Sequence, residues 1–195
     1  MRLGILGGTF DPPHVGHLLA ASDAFEFLAL DRLLFVPAGR QPFKVGVVEA
    51  TGEQRVEMLR AMIRDDPRFE VDPVEIRRPG LSYTVDTLSE IAVRFPDAEL
   101  YLLIGEDLAE QLRSWREPER IAGLARVVVL TRVGDDPAPS AADGALRELR
   151  LERLATRRVD VSSTEIRART RAGRSVRGFV PDDVVTYIET SRLYR

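Results

Sequence analysis

The sequence predicts an α/β fold, a mostly parallel, doubly wound sheet with helices on both faces and a small helical part at the C-terminal end. Two observations predict it: short apolar runs recur along the chain, and longer amphipathic stretches separate them. This alternation is typical of parallel strands joined by crossover helices. The five predicted strands are the apolar runs at 3–6, 33–36, 71–76, 100–104 and 127–130.

Helix boundaries follow from caps and from prolines. A helix is predicted after Thr51, because Thr51 and Gln54 have the spacing of a capping box and an apolar face follows. A second helix is predicted over 83–95, where Pro96 stops the apolar repeat. Pro181 suits the first turn of a last helix. Stretches rich in Gly, Pro and Asp predict loops at 37–52 and 134–144.

Composition excludes several classes of protein. The 195 residues, 44% hydrophobic and 30% charged, suit one soluble domain over 1–195. No run approaches the about 20 apolar residues that cross a bilayer, and the N-terminus does not resemble a signal peptide, so we expect a cytoplasmic protein with no membrane contact. The chain has no cysteine, which rules out disulfides and thiol nucleophiles. A net charge of -3 argues against a general nucleic-acid binder.

The turn after the first strand carries the strongest functional signal. Glycines at the end of a first strand let a ligand approach the backbone, and the N-terminus of the following helix favours an anion. The only two histidines of the chain, His14 and His17, both lie in this turn, with Gly16 between them. If the helix has begun by His14, residues three apart share one face, so both imidazoles can point into one pocket.

Histidines suit phosphoryl chemistry because they donate hydrogen bonds to developing negative charge, and we expect a positive charge to be available near neutral pH. The alternative is that both are structural, one capping the helix and one partly buried. The combination of Gly-Gly, a helix start and two histidines favours a phosphate site over that alternative.

The segment Gly7–His17, GGTFDPPHVGH, resembles the GxFDPxHxGH signature of the HxGH nucleotidylyltransferase superfamily, and the whole chain is similar to bacterial nicotinate-nucleotide adenylyltransferases. The resemblance implies a Rossmann-like fold, and ATP and nicotinate mononucleotide as substrates. It also implies that His14 and His17 bind ATP phosphates and stabilise the transition state. The ATP site would include the turn residues Gly7, Gly8, Thr9 and Phe10.

A second phosphate-binding element is predicted near the other end of the chain. Ser162 and Glu165 have the spacing of a capping box, so a helix N-terminus lies there, with the hydroxyls of Ser163 and Thr164 and the guanidinium of Arg167 beside it. Taken alone, this is more often a capped helix without a ligand. It resembles the family motif I-S-S-T-x-I-R, with Val161 in place of Ile, and the resemblance implies that it grips the triphosphate.

Other segments are candidates for the second substrate and for the adenosine end. The stretch S-Y-T around Tyr83 and Thr84 is similar to one that contacts the pyridine nucleotide in the family. Trp115, the only tryptophan, has a ring that could stack on a heteroaromatic base, although its neighbours suit a core or interface position equally. Gly105 and Asp107 end a strand at the edge where open α/β sheets bind ligands, and Asp107 resembles a family acidic residue near the nucleotide.

Two cations complete the predicted site. Lys44 lies in the glycine-rich loop, where a mobile cation could close over phosphates. Many family members have P-P-H-K there, whereas this chain has Q-P-F-K, which keeps the lysine but not the histidine. Arg132 follows the strand at 127–130 and matches a family arginine, with a surface role as the alternative.

The sequence thus predicts adenylyl transfer from ATP to nicotinate mononucleotide, with catalytic His14, His17, Lys44 and Arg167 and with Mg²⁺ entering on ATP instead of in a dedicated metal site. Three alternatives remain: a nucleotidylyltransferase for nicotinamide mononucleotide, phosphopantetheine or a cytidine nucleotide; a non-catalytic nucleotide sensor; and a dehydrogenase. A dehydrogenase would have G-x-G-x-x-G after the first strand, and the Gly7-Gly8-Thr9 of this chain does not supply that pattern. The sequence does not choose between the two pyridine mononucleotides, or between a monomer and a homodimer.

Overall fold

The computed structural model describes residues 1–40, 48–132 and 151–195. Its centre is a six-stranded sheet in which every pairing is parallel, with the order β3-β2-β1-β4-β5-β6. The strands are β1 Arg2–Gly8, β2 Arg32–Pro37, β3 Phe69–Val71, β4 Glu99–Gly105, β5 Arg126–Arg132 and β6 Glu152–Thr156. This strand order is that of Rossmann-type sheets, so the predicted fold class is confirmed.

Eight α-helices surround the sheet in the described ranges, with a short 3₁₀ turn at Leu112–Ser114. The helices are α1 Val15–Phe27, α2 Gly52–Ile63, α3 Val74–Arg77, α4 Thr84–Arg94, α5 Glu106–Ala109, α6 Pro118–Leu124, α7 Ser163–Arg171 and α8 Asp182–Thr190. Thr51 caps α2 in a reciprocal capping box with Gln54, as predicted. Pro181 precedes the last helix, also as predicted.

Both faces of the sheet are covered by apolar helix surfaces. Leu6, Phe35 and Leu103 face one buried cluster, which contains side chains of α1, α2, α7 and α8. Ile5 and Leu102 face the opposite cluster, together with side chains of α4 and α6. Because neighbouring strand residues point to opposite faces, strands buried on both sides are continuous apolar runs. This is why the short apolar runs were reliable markers of the sheet.

One predicted strand is wrong in its second half. The apolar run at 71–76 contributes only its first residue to β3, and α3 begins at Val74. The Asp72 carboxylate accepts a hydrogen bond from the Val74 N–H at 3.1 Å, and Pro73 supplies no N–H for a strand ladder. These two residues end the strand and start the helix. The strand begins at Phe69, two residues before the predicted start. The strand β6 was not predicted.

The sheet topology fixes where a ligand can bind. The strand order reverses between β1 and β4, which pair from Arg2 with Glu99 to Leu6 with Leu103. Ligands of open α/β sheets bind in the crevice at the carboxyl ends of the strands where the order reverses. The turns that follow Gly8 and Gly105 are on the two sides of that crevice.

Candidate active site

The histidine turn is held in one conformation by its own backbone and by Phe10. His14 caps α1, and its backbone N–H donates to Nδ1 of His17 at 3.2 Å. The two imidazoles stack with ring centroids 3.7 Å apart. Phe10, with a positive φ of 52°, places its ring edge-on to His17 at 4.9 Å. The two histidines therefore lie side by side, although neither is among the residues that line the cavity described below.

The expected positive charge is not supported by the environment of these rings. Burial, and then the positive charge of Arg132, lowers the pKa of His14 to about 4. Burial, and then His14, lowers the pKa of His17 well below its usual value. Both imidazoles are therefore neutral at neutral pH. His17 accepts at Nδ1, so its proton is on Nε2, which can donate to a phosphate oxygen.

The helix tip at Ser162–Arg167 lies directly against the histidine turn. Ser162 caps α7 by accepting from the Glu165 N–H at 3.1 Å. The Ser163 hydroxyl donates to the Pro12 carbonyl at 2.8 Å, and Nη1 of Arg167 donates to the Asp11 carbonyl at 2.7 Å. Two motifs about 150 residues apart are thus one structural unit.

Arg167 is engaged by other groups of the protein. Besides the bond to Asp11, its Nη2 donates to Thr164 Oγ1 at 3.3 Å, and its Nε lies 3.0 Å from Oε1 of Glu49. Arg171 pairs with the other oxygen of Glu49. A triphosphate would have to compete with the Glu49 carboxylate for this guanidinium.

Asp11 is the buried anchor of the turn. Its carboxylate is 3% exposed and accepts from the Glu49 and Ala50 N–H groups at 2.8 and 3.1 Å and from the Tyr194 hydroxyl at 2.7 Å. Burial, and then this hydrogen bond, raises the pKa of Tyr194. Asp11 therefore joins the histidine turn to two distant segments: the residues just before α2, and Tyr194, which follows α8. No motif in the sequence marked Tyr194 as part of this network.

A cavity of about 580 Å³ opens at the predicted crevice. Its walls come from the ends of β1 and β4, from the N-terminus of α4 and from the segment around the 3₁₀ turn. The predicted site residues that line it are Gly7, Gly8, Thr9, Tyr83, Thr84, Asp107 and Trp115. Residues predicted for ATP and residues predicted for the mononucleotide thus share one cavity.

Phe10 lies between the end of β1, which lines the cavity, and the histidine turn. A Cβ on Gly8 would lie only 2.8 Å from the Phe10 ring, which also packs edge-on against His17 and Phe35. The lack of a side chain at Gly8 therefore leaves room for the Phe10 ring. Gly105 has a similar relationship with Asp107, whose carboxylate would lie 2.8 Å from an added Cβ.

One predicted cation, Arg132, is not among the residues that line the cavity. Arg132, at the end of β5, is exposed, lies 3.8 Å from Asp160 and is close enough to His14 to lower its pKa. Arg132 is therefore near the histidine turn. Lys44 lies outside the described residues, as does the predicted loop at 134–144, and the role of each stays a prediction.

Several polar residues at the site were not predicted. Arg55 is 5% exposed and donates to the Thr9 carbonyl at 2.8 Å. The sequence carried a signal for it, because Arg55 falls on the apolar face of α2 with Leu59 and Met62. Glu75 and Arg116 also line the cavity. Glu75 accepts from the Gly39 N–H at 3.1 Å and from the Thr87 hydroxyl at 2.9 Å.

A larger open groove, about 1030 Å³, lies between α2, β3 and α8. None of the predicted site residues lines it, and its walls mix acidic and basic side chains. Within the described ranges, no three His, Asp or Glu side chains cluster as metal ligands would. No helix in those ranges is both long and apolar enough to cross a bilayer.

Comparison with known proteins agrees with this geometry. The sequence profile described as cytidylyltransferase-like matches residues 5–169. A probable nicotinate-nucleotide adenylyltransferase of Gemmatimonas aurantiaca is 50% identical over 100% of this chain and 93% of the relative. One of Thermus thermophilus is 48% identical over the full length of both chains.

Solved structures show the same fold. Nicotinic acid mononucleotide adenylyltransferase of Plasmodium falciparum, complexed with NaAD, superposes with a TM-score of 0.75 over 99% of this chain and 97% of that one, at 17% identity. At 17% identity this likeness supports the fold alone, whereas the full-length bacterial relatives show the family. On the strength of those relatives, this chain belongs to the family of nicotinate-nucleotide adenylyltransferases.

Proposed function

We propose that the protein transfers the adenylyl group of ATP to nicotinate mononucleotide, giving nicotinate adenine dinucleotide and pyrophosphate. The single observation that carries the proposal is the union of two binding elements around the end of β1. The histidine turn bonds to the tip of α7 on one side, and the cavity with Tyr83, Thr84 and Trp115 opens on the other. The full-length relatives named for this reaction support the same choice.

The reaction is an in-line displacement at the α-phosphorus of ATP. A phosphate oxygen of the mononucleotide forms the new P–O bond, and the bond between the α-phosphorus and the bridging oxygen breaks, so that pyrophosphate leaves. Catalysis of this kind depends on positioning and on stabilising charge. No covalent intermediate on the protein is required.

The histidines would supply donors to the α-phosphate. Neutral His17 donates from Nε2, because Nδ1 is already occupied by the His14 N–H. Bringing a triphosphate beside these rings favours the protonated form of His14, since an adjacent negative charge raises the pKa of an imidazole, whereas a proton on Nδ1 of His17 would displace the bond from the His14 N–H. Ser163, Thr164 and the free N–H groups at the start of α7 suit the outer phosphates, and Lys44 remains a proposed further phosphate ligand.

Mg²⁺ would enter with ATP, held mainly by phosphate oxygens and water. The Asp107 carboxylate is an exposed oxygen donor on the cavity wall, so it fits the ion or one of its waters. When bound, the ion neutralises phosphate charge. The absence of cysteine suits a reducing compartment, and we place the reaction in the cytoplasm.

The test is product formation from ATP with three acceptors: nicotinate mononucleotide, nicotinamide mononucleotide and phosphopantetheine. We expect dinucleotide and stoichiometric pyrophosphate, with nicotinate mononucleotide giving the highest kcat/KM. A folded protein that binds ATP but releases no pyrophosphate with any acceptor would instead be a nucleotide sensor. Preference for phosphopantetheine would move the chain to another activity of the same superfamily.

Two variants of Trp115 test the acceptor site directly. Trp115→Phe keeps an aromatic face, whereas Trp115→Ala removes it, so KM for the mononucleotide should rise in the alanine variant far more than in the phenylalanine variant. KM for ATP should change little in either. Equal effects on both substrates would argue that Trp115 is structural.

A further inference from the structure

Only one positively charged side chain is found among the described residues that line the cavity. The charged residues that line the cavity are Glu75, Asp107 and Arg116, so Arg116 is the sole cation among its described lining residues. Without Arg116, the only charged groups on the described part of the wall would be carboxylates. A bound anion would then meet repulsion from like charges.

Arg116 lies at the end of the cavity that contains the aromatic rings. It follows Trp115 directly, and its guanidinium carbon lies 4.9 Å from the centroid of the Tyr83 ring. Tyr83 and Trp115 both line the cavity, so the cation is beside the surface on which a planar base would rest. Cations favour the faces of aromatic rings, which helps to hold the guanidinium there.

The guanidinium is held only loosely by the carboxylates near it. Its Nη1 lies 3.9 Å from Asp86, and its Nε lies 3.5 Å from Glu117. Both separations exceed the about 2.7 to 2.9 Å of a charge-assisted hydrogen bond. The side chain is also 53% exposed, so it can turn towards a ligand at the mouth of the cavity.

We propose that Arg116 is a specificity-determining residue that makes the protein prefer the acid form of the pyridine nucleotide over the amide. The inference rests on the proposed function. The phosphate of the mononucleotide must reach the α-phosphate of ATP beside the histidines, so its base points away from them, towards Trp115. A pyridine carboxylate at that end can accept hydrogen bonds from the Arg116 guanidinium, and the uncharged amide offers no such charge.

The test compares kcat/KM for nicotinate and nicotinamide mononucleotides in the wild type and in Arg116→Ala, Arg116→Gln and Arg116→Lys. We expect the ratio of acid to amide to fall about tenfold or more in the alanine and glutamine variants, mainly through KM for the acid. Lysine should restore part of it, because it keeps the charge but not the planar fork. KM for ATP should be unchanged.

Arg120→Ala is the matched control. Arg120 also pairs with Glu117, at 2.9 Å, but it does not line the cavity, so its loss should leave the ratio unaltered. Since Trp115 is the only tryptophan, its fluorescence gives a second readout: quenching by the acid, but not by the amide, should weaken in Arg116→Ala. Thermal melts establish that each variant is folded.

The inference is overturned if Arg116→Ala keeps the wild-type ratio, or if both mononucleotides lose kcat/KM equally. A rise in KM for ATP alone would also overturn it, because the arginine would then serve the other substrate. Failure of the proposed function is a different result: the wild type would form no dinucleotide from either mononucleotide.

Discussion

The backbone N–H of His14 donates to Nδ1 of His17 at 3.2 Å, so the helix cap and the tautomer of the second histidine are set by the same bond. A neutral imidazole has one donor and one acceptor nitrogen. With Nδ1 occupied as the acceptor, Nε2 is the donor. The spacing of the motif therefore fixes the chemistry of His17 before any ligand arrives.

His17→Ala should lower kcat by about 100- to 1000-fold, the usual cost of removing one preorganised donor to the transition state. His17→Asn is the matched control: its amide oxygen can still accept from the His14 N–H, but it places no donor where Nε2 lies. We expect the asparagine variant to match the wild type in its thermal melt and the alanine variant in steady-state kcat. Wild-type turnover in the asparagine variant would show that His17 acts only as a cap.

Folding stability should fall as the pH falls from about 6.5 to about 4. The pKa of His14 is lowered to about 4 in the folded protein from 6.5, so the unfolded chain binds the proton first. Because the pKa of His14 is lowered on folding, its contribution to the free energy of unfolding is complete above about pH 6.5 and is lost as the pH falls towards 4. His14 alone should cost about 2 kcal/mol by about pH 4.5.

Denaturant unfolding between about pH 7.5 and about pH 4.5 measures this effect, with His14→Asn as the variant that cannot titrate at that position. The two proteins should lose stability at different rates over this window, the wild type faster. Parallel curves would mean that His14 titrates normally in the folded state.

Gly16→Ala should impair catalysis without unfolding the protein. An added Cβ would lie 3.0 Å from Nδ1 of His14, so the ring would have to move, and small misplacements of catalytic groups are costly. We expect kcat/KM to fall about tenfold while helix stability is kept, since alanine favours helices over glycine. Gly123→Ala, in α6, meets nothing within 4 Å and should leave activity unchanged.

Tyr194→Phe should destabilise the protein by about 2 kcal/mol, because the hydroxyl donates to the buried Asp11 carboxylate. Tyr187→Phe is the comparison, since its hydroxyl makes no hydrogen bond within the described ranges and its loss should be nearly neutral. Urea unfolding measures both. Equal stability of the two variants would mean that the Asp11 network is satisfied by the N–H groups of Glu49 and Ala50 alone.

The features that the sequence predicted correctly, the central strands and the helix starts, depend on residues close together in the chain. The apolar runs of the central strands are buried on both faces, so burial alone marks them, and Thr51 and Ser162 cap their helices through residues three positions away. β6 was not predicted, because its pattern of exposed and partly buried residues lacks an apolar run.

The residues that sequence reasoning missed act across long separations. Arg116 was passed over because a surface arginine beside glutamates is ordinary until the fold brings it to Tyr83. The charge state of the histidines was also misjudged, since their pKa values depend on burial by distant segments and, for His14, on Arg132. Which residues meet could be predicted from their motifs, whereas their ionisation could not.

The bond between Asp11 and Tyr194 spans 183 positions, and this sets an order in biosynthesis. The first motif leaves the ribosome while almost all of the chain is still untranslated, and its buried carboxylate waits for a partner made near the end of translation. Nascent chains stopped before that tyrosine would contain both histidines and all six strands, yet the buried Asp11 carboxylate would lack its hydroxyl partner. Nucleotide affinity should therefore appear late in synthesis, as one of the last properties that the growing polypeptide acquires.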